Sequence, residues 1–155
     1  MKFSAREDVA APIDAVFDAL NDFESFERQA MRRGAQVRRI DPLTQPGVGM
    51  QWDVRFKMRG RPRELTVKMA RYDEPNEMIF DVNSAGVTGT FSIELLALSR
   101  NRTRMALALE LTPLTLSARL FVQSLKLAKT SLSKRFKLRV AEYAKGLEDR
   151  LQRSA

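Results

Sequence analysis

Between Gln51 and Leu111 the chain alternates apolar and polar residues in a series of short runs, each closed by turn chemistry, and this rhythm constrains the fold more than any other feature. Trp52, Val54, Phe56 and Met58 alternate with Gln51, Asp53, Arg55 and Lys57, and Leu65, Val67 and Met69 alternate with Glu64, Thr66 and Lys68. Met78, Phe80 and Val82 oppose Ile79, Asp81 and Asn83, Phe91, Ile93 and Leu95 oppose Thr90, Ser92 and Glu94, and Met105, Leu107, Leu109 and Leu111 complete the series. Successive strand side chains point to opposite faces, so each run has one face to bury and one to solvate. The runs break at Asp41-Pro42 through Pro46-Gly47, at Arg59-Gly60, at Asp73-Glu74-Pro75-Asn76, from Asn83 to Gly86 and at Ser99-Arg100-Asn101. Consecutive strands with short turns predict an antiparallel meander, apolar on one side.

The flanks supply what covers that side. Residues 2–10 alternate as well, with Phe3, Ala5, Glu7 and Val9 on one face. After Pro12, which suits a first helical turn, Ile13, Val16, Phe17 and Leu20 recur at helical spacing. Asn21-Asp22 separates this from a second short helix carrying Phe23, Phe26 and Ala30, which runs to Arg33 and stops at Gly34. Beyond Thr112-Pro113 the apolar residues fall three or four apart as far as Leu151. Unbroken from Ser117, such a helix would be about 50 Å long, so a break or separate short piece is predicted near residues 113–118. A strand, two short helices, about six more strands and a long helix have one economical packing: a curved antiparallel sheet of about seven strands wrapped around the C-terminal helix, an α+β helix-grip fold. No repeat or linker divides the chain, so residues 1–155 form one expected domain.

Composition limits the chemistry. The chain has no His and no Cys, which excludes Ser-His-Asp and Cys-His catalysis and removes the usual zinc ligands. No metal site and no cofactor are expected. No apolar run is long enough to span a bilayer, and Arg6, Glu7 and Asp8 interrupt the N-terminus where an export signal would be apolar, so a cytoplasmic location is expected.

The net charge of +8 is uneven. Residues 1–27 carry two basic and seven acidic groups, whereas residues 28–71 carry twelve and three and residues 112–155 ten and three. Arg55, Lys57, Arg59, Arg61 and Arg63 make a basic hairpin tip, and Lys126, Lys129, Lys134, Lys137 and Arg150 stud the last helix. An anionic membrane surface is a partner this charge suits. Nucleic acid is not expected, because the aromatic residues fall on the buried parity, where bases cannot stack on them.

A curved sheet closed by one helix leaves space between them, and its lining follows from the parity. Trp52, Val54, Phe56 and Met58, then Val67 and Met69, then Phe80, Phe91, Met105 and Leu107 point inward from the strands, and Phe121, Phe136 and Tyr143 face them from the helix. The same residues serve equally as an ordinary core. Polar groups on that parity are more telling, since a charged group is rarely buried without a partner. Glu7, Arg63 and Tyr143 are the candidates to hold the polar end of an otherwise apolar ligand, and Arg71 continues the Leu65, Val67 and Met69 face at its far end.

Ala11-Pro12-Ile13-Asp14-Ala15-Val16-Phe17 after the first strand, Leu20-Asn21-Asp22-Phe23, Gly47-Val48-Gly49-Met50-Gln51-Trp52 and Arg71-Tyr72-Asp73-Glu74-Pro75 together resemble the START-like, Bet v 1-like superfamily, in particular its polyketide cyclase/dehydrase and lipid-transport-like branch. The resemblance covers essentially the whole chain and implies a helix-grip fold with a cavity for a hydrophobic small molecule. The leading expectation is therefore non-catalytic binding or carriage of a lipid or polyketide-like molecule, as a monomer or homodimer. The alternatives are a cyclase/dehydrase-type enzyme, and a module that binds a partner or a membrane surface through its basic patches.

Overall fold

The computed structural model describes residues 1–154. Its elements are β1 (Lys2–Val9), α1 (Ile13–Leu20), α2 (Phe23–Arg32), β2 (Gln36–Arg39), β3 (Gln51–Met58), β4 (Arg61–Asp73), β5 (Glu77–Ser84), β6 (Val87–Ser99), β7 (Arg102–Pro113), α3 (Leu116–Leu127) and α4 (Lys129–Ser154). Seven antiparallel strands form one sheet in the order β1-β7-β6-β5-β4-β3-β2. The alternation from Gln51 to Leu111 is thus the meander it predicts, with the first strand returned to the far edge beside the last. This is the helix-grip α+β fold.

Local chemistry explains the punctuation. Pro12 precedes α1, and the Asp22 carboxylate caps α2 by accepting from the Ser25 backbone N–H at 3.2 Å. Arg59 and Gly60 both take positive φ, the left-handed two-residue turn that matches the twist of a hairpin. The loop between β2 and β3 is pinned by Asp41, whose side chain is only 3% exposed. It receives Arg39 Nε and Nη2 at 2.7 and 2.9 Å and the backbone N–H groups of Leu43 and Gln51 at 2.9 and 2.8 Å. The Arg39 guanidinium also lies over the Trp52 ring, 5.8 Å from its centroid.

The Arg39 hydrogen bonds hold the Asp41 carboxyl well below the usual carboxylate range. A carboxyl depressed in the folded state contributes stability above its unfolded pKa of about 4 and loses it as pH falls. Asp41→Asn is therefore expected to lower stability by about 2 kcal/mol at neutral pH, with the deficit shrinking as pH drops below about 4. Urea titrations of both proteins across that range measure it.

Two expectations are corrected. The long C-terminal helix breaks at Ala128, between α3 and α4, and not near residues 113–118, where Thr115 instead caps α3 by accepting from the Ala118 N–H at 3.1 Å. Nothing at Ala128 is a helix breaker; its φ of −102° departs from helical geometry because the two halves pack on different supports. α4 runs along β1, and α3 is held over the hairpin ends. The second correction is Arg71. A bulge between Met69 and Arg71 shifts the register of β4, so Met69 and Tyr72 are turned inward while Arg71 faces out and pairs with Glu77 at 2.6 Å.

The solid core gathers at one end of the sheet, under α1. Val9, Val16, Phe17, Leu20, Met50, Met69, Met78, Leu95, Met105 and Leu147 are buried there. Thr103, fully buried among them, donates to the Ala11 carbonyl at 2.8 Å.

Candidate functional site

Burial fades along the inner face from the α1 end toward the opposite one. On β7, Met105 is buried and Leu107, Leu109 and Leu111 are half-buried; on β4, Met69 is buried and Val67, Leu65 and Arg63 are not. On β3 the change comes after Trp52, with Val54, Phe56 and Met58 half-buried. These side chains have inward parity, yet solvent still reaches them. The inner face is therefore open to solvent at this end, a hollow whose strand side chains are apolar except for Arg63.

The roof of the hollow is α3 and the start of α4. Gly86 in the β5–β6 turn meets the α3 N-terminus so closely that a Cβ there would lie 2.6 Å from Thr115 Oγ1, and its φ of +76° favours glycine as well. Gly86 also accepts from the Leu114 N–H at 2.7 Å. From the β3–β4 tip, Arg59 Nη1 donates to Ser124 Oγ at 2.7 Å. Ala118, Val122 and Leu125 are the buried residues of α3. Phe136 of α4 meets Phe3, with ring centroids 6.3 Å apart.

Two polar atoms in this region are buried without a hydrogen-bond partner: Arg63 Nε and the Tyr143 hydroxyl. Arg63, opposite Phe56 in the β3–β4 register, places its guanidinium 4.5 Å from the centroid of the Phe121 ring, joining sheet to roof. Beside it a notch of about 680 Å³ opens between the β3–β4 hairpin, the Ser84–Val87 turn and Leu114. Tyr143 stands at the other end of an aromatic row. Phe91, Phe80, Trp52 and Phe23 follow one another at 6.1, 6.2 and 5.5 Å, and Phe26, one turn along α2, lies 5.6 Å from Tyr143. Burial pushes the Tyr143 hydroxyl up to about 12; the positive charge of Arg150 opposes part of that shift without closing a hydrogen bond in the geometry seen here. At neutral pH Tyr143 is a donor.

The sequence candidates therefore separate into three groups. Trp52, Met69, Phe80 and Met105 are buried in the core. Val54, Phe56, Met58, Val67, Phe91, Leu107, Phe121 and Phe136 are half-buried along the inner face and roof, together with Arg63 and, under α2, Tyr143. Glu7 stands apart: on the β1 edge, opposite Met105 of β7, it lines a separate groove of about 590 Å³ with Lys2, Arg6, Glu94 and Lys137. Phe23 and Phe26 were missed as candidates. Their spacing puts both rings on one helix face, but nothing in that spacing says the helix folds over Trp52. Among the described residues no group of three acidic side chains could hold a metal ion.

The fold and this hollow define the class: a START-like, Bet v 1-like helix-grip domain. The chain belongs to the polyketide cyclase/dehydrase and lipid transport family, which it matches over residues 1–149. A search of curated proteins finds no match. Among solved structures it is similar to TTHA0849 from Thermus thermophilus, at 16% identity and a TM-score of 0.66 over 100% of this chain and 99% of that one. It is similar to norcoclaurine synthase from Thalictrum flavum, at 14% identity and a TM-score of 0.66 over 100% and 88% of the two chains. The Zhui aromatase/cyclase from Streptomyces gives 13% identity and a TM-score of 0.62 over 86% and 88%. At these identities the likeness is one of fold. No described helix is long and apolar enough to cross a membrane.

Proposed function

We propose that this protein binds and carries a hydrophobic small molecule, lipid or polyketide-like, in the hollow beneath α3 and α4, with the ligand's acceptor-bearing end at Arg63. The observation that carries the reading is Arg63 Nε, a buried donor with no partner, set between the apolar inner face and a notch that also carries Asp53, Glu64 and Asn83. Such a donor is costly to leave unpaired, and a carboxylate, phosphate or enolate oxygen would satisfy it. The Tyr143 hydroxyl offers a second donor toward the α2 end. The half-buried lining supplies the apolar contact, and fold relatives include norcoclaurine synthase in complex with dopamine and hydroxybenzaldehyde. We read the protein as a binder and not an enzyme: with no His or Cys, and with Tyr143 holding its proton to about 12, the half-buried residues beneath α3 include no general base near neutral pH, and the carboxylates of the notch, Asp53 and Glu64, are paired with Arg38 and Arg55.

Native mass spectrometry of the protein purified without added ligand tests this. The expected spectrum contains a co-purified apolar molecule that is depleted in Arg63→Met. A protein that emerges bare, and that also fails to bind an aromatic anion such as anilinonaphthalene sulfonate, overturns the reading.

A further inference from the structure

Opposite its buried face, α3 carries a second apolar stripe that nothing in the fold covers. Leu116, Leu120 and Leu127 are 74, 61 and 92% exposed. At about 100° per residue they fall within roughly 40° of one another around the helix, facing away from Ala118, Val122 and Leu125. Leu114, just before the helix, is exposed as well. Burial of its other face explains why α3 is helical; it does not explain three leucines in water, since exposed apolar side chains clustered in this way mark a contact surface.

The charge around the stripe says which surface. From Thr112 to Ala141 the sequence has seven basic residues, Arg119, Lys126, Lys129, Lys134, Arg135, Lys137 and Arg139, and no acidic one. All seven are exposed, and none is in a salt bridge among the described residues. Arg119 and Lys126 lie together along one edge of the leucine stripe on the helix itself. The acidic residues Asp14, Asp18, Asp22 and Glu24 sit on and beside α1, at the far end of the sheet. α1 carries acidic residues and no basic one, whereas the α3 end is basic and leucine-bearing.

We propose that α3 docks this protein on an anionic lipid surface, its leucines entering the acyl boundary and its basic residues meeting the headgroups. An amphipathic helix lying in a bilayer interface needs this combination of apolar stripe and cationic flanks. Nucleic acid fits less well, because leucine does not stack on bases and no aromatic side chain lies on this face. Exposed Leu114 also lines the notch beside Arg63, so a docked α3 places that notch next to the interface. It rests on the outer face of α3 and is independent of what the hollow contains.

Vesicle co-sedimentation tests it, comparing pure phosphatidylcholine with equal parts phosphatidylcholine and phosphatidylglycerol. The full chain is expected to bind the anionic vesicles, to bind the neutral ones far less, and to be released as salt shortens the Debye length. Combined Leu116→Ser, Leu120→Ser and Leu127→Ser is expected to reduce partitioning by at least about tenfold. Lys126→Glu with Lys129→Glu is expected to reduce it by about tenfold or more. Leu96→Ser, an exposed leucine on β6, keeps full binding, and anilinonaphthalene sulfonate binding in the hollow is unchanged in all three variants. Absence of binding to anionic vesicles overturns the proposal, as does binding undiminished by the leucine substitutions. A dimer in sedimentation equilibrium that the leucine variant dissociates, with no vesicle binding, also overturns it and makes this face a contact between two copies of the chain.

Discussion

Met105→Ala is expected to destabilise the protein by about 2–5 kcal/mol, whereas Leu109→Ala, on the same strand and the same face, costs only about 1 kcal/mol. Both residues have inward parity on β7, about 13 Å apart. Met105 is fully buried in the closed core under α1, so truncation loses its transfer free energy and leaves a cavity that its neighbours fill only in part. Leu109 is half-buried and faces the hollow, so truncation enlarges a space that already exists, and little beyond part of the transfer term is lost. Chemical denaturation of the two variants distinguishes them. Equal, large costs would mean that the hollow is filled in solution and that the inner face is a continuous core.

The second large effect joins opposite signs in one pair of variants. Arg63→Met is expected to weaken anilinonaphthalene sulfonate by about 10–100-fold, the worth of a hydrogen bond to a charged partner, while stability changes by no more than about 0.5 kcal/mol. Removing the unpartnered Nε relieves its desolvation cost, and losing the cation over the Phe121 ring, against which the methionine packs in its place, offsets that gain. Tyr143→Phe is expected to raise stability by about 1 kcal/mol, a rise of about 2–4 °C in Tm, because it removes a buried hydroxyl with no partner. A ligand that uses this hydroxyl binds the variant several-fold more weakly. Groups whose removal strengthens or spares the empty protein and weakens the complex are serving the ligand. If Tyr143→Phe lowers stability instead, its hydroxyl has a partner in the free protein and has no role in binding.

The predictions differ in how far the sequence led to them. The inward parity of Val54, Phe56, Val67, Phe91 and Leu109 is legible directly, because strand side chains alternate without exception until a bulge intervenes. Where one does, at Ala70, the parity of Arg71 inverts, and no residue in that stretch announces it. Arg63 and Tyr143 stand out in the sequence as polar residues on apolar faces. Whether either finds a partner depends on what Phe121, Arg150 and α2 bring alongside, which are contacts between segments far apart in the chain. Glu7 has the same sequence credentials as Arg63, yet the β1 edge carries it to a different groove, beside Lys137.

By itself the sequence determined the strand rhythm, the order of elements and hence the helix-grip fold, because periods of two and three to four are local properties that any burial must respect. It also determined the missing chemistry, since no packing can supply a histidine or a cysteine. Only the tertiary structure decided that the inner face is solid at the α1 end and hollow at the α3 end. It also placed the helix break at Ala128, where α3 turns from the line of α4 to its seat on Gly86, Arg59 and Arg63. These outcomes depend on distances between elements remote in sequence, and the alternation of apolar residues is the same whether the space they face is filled or open.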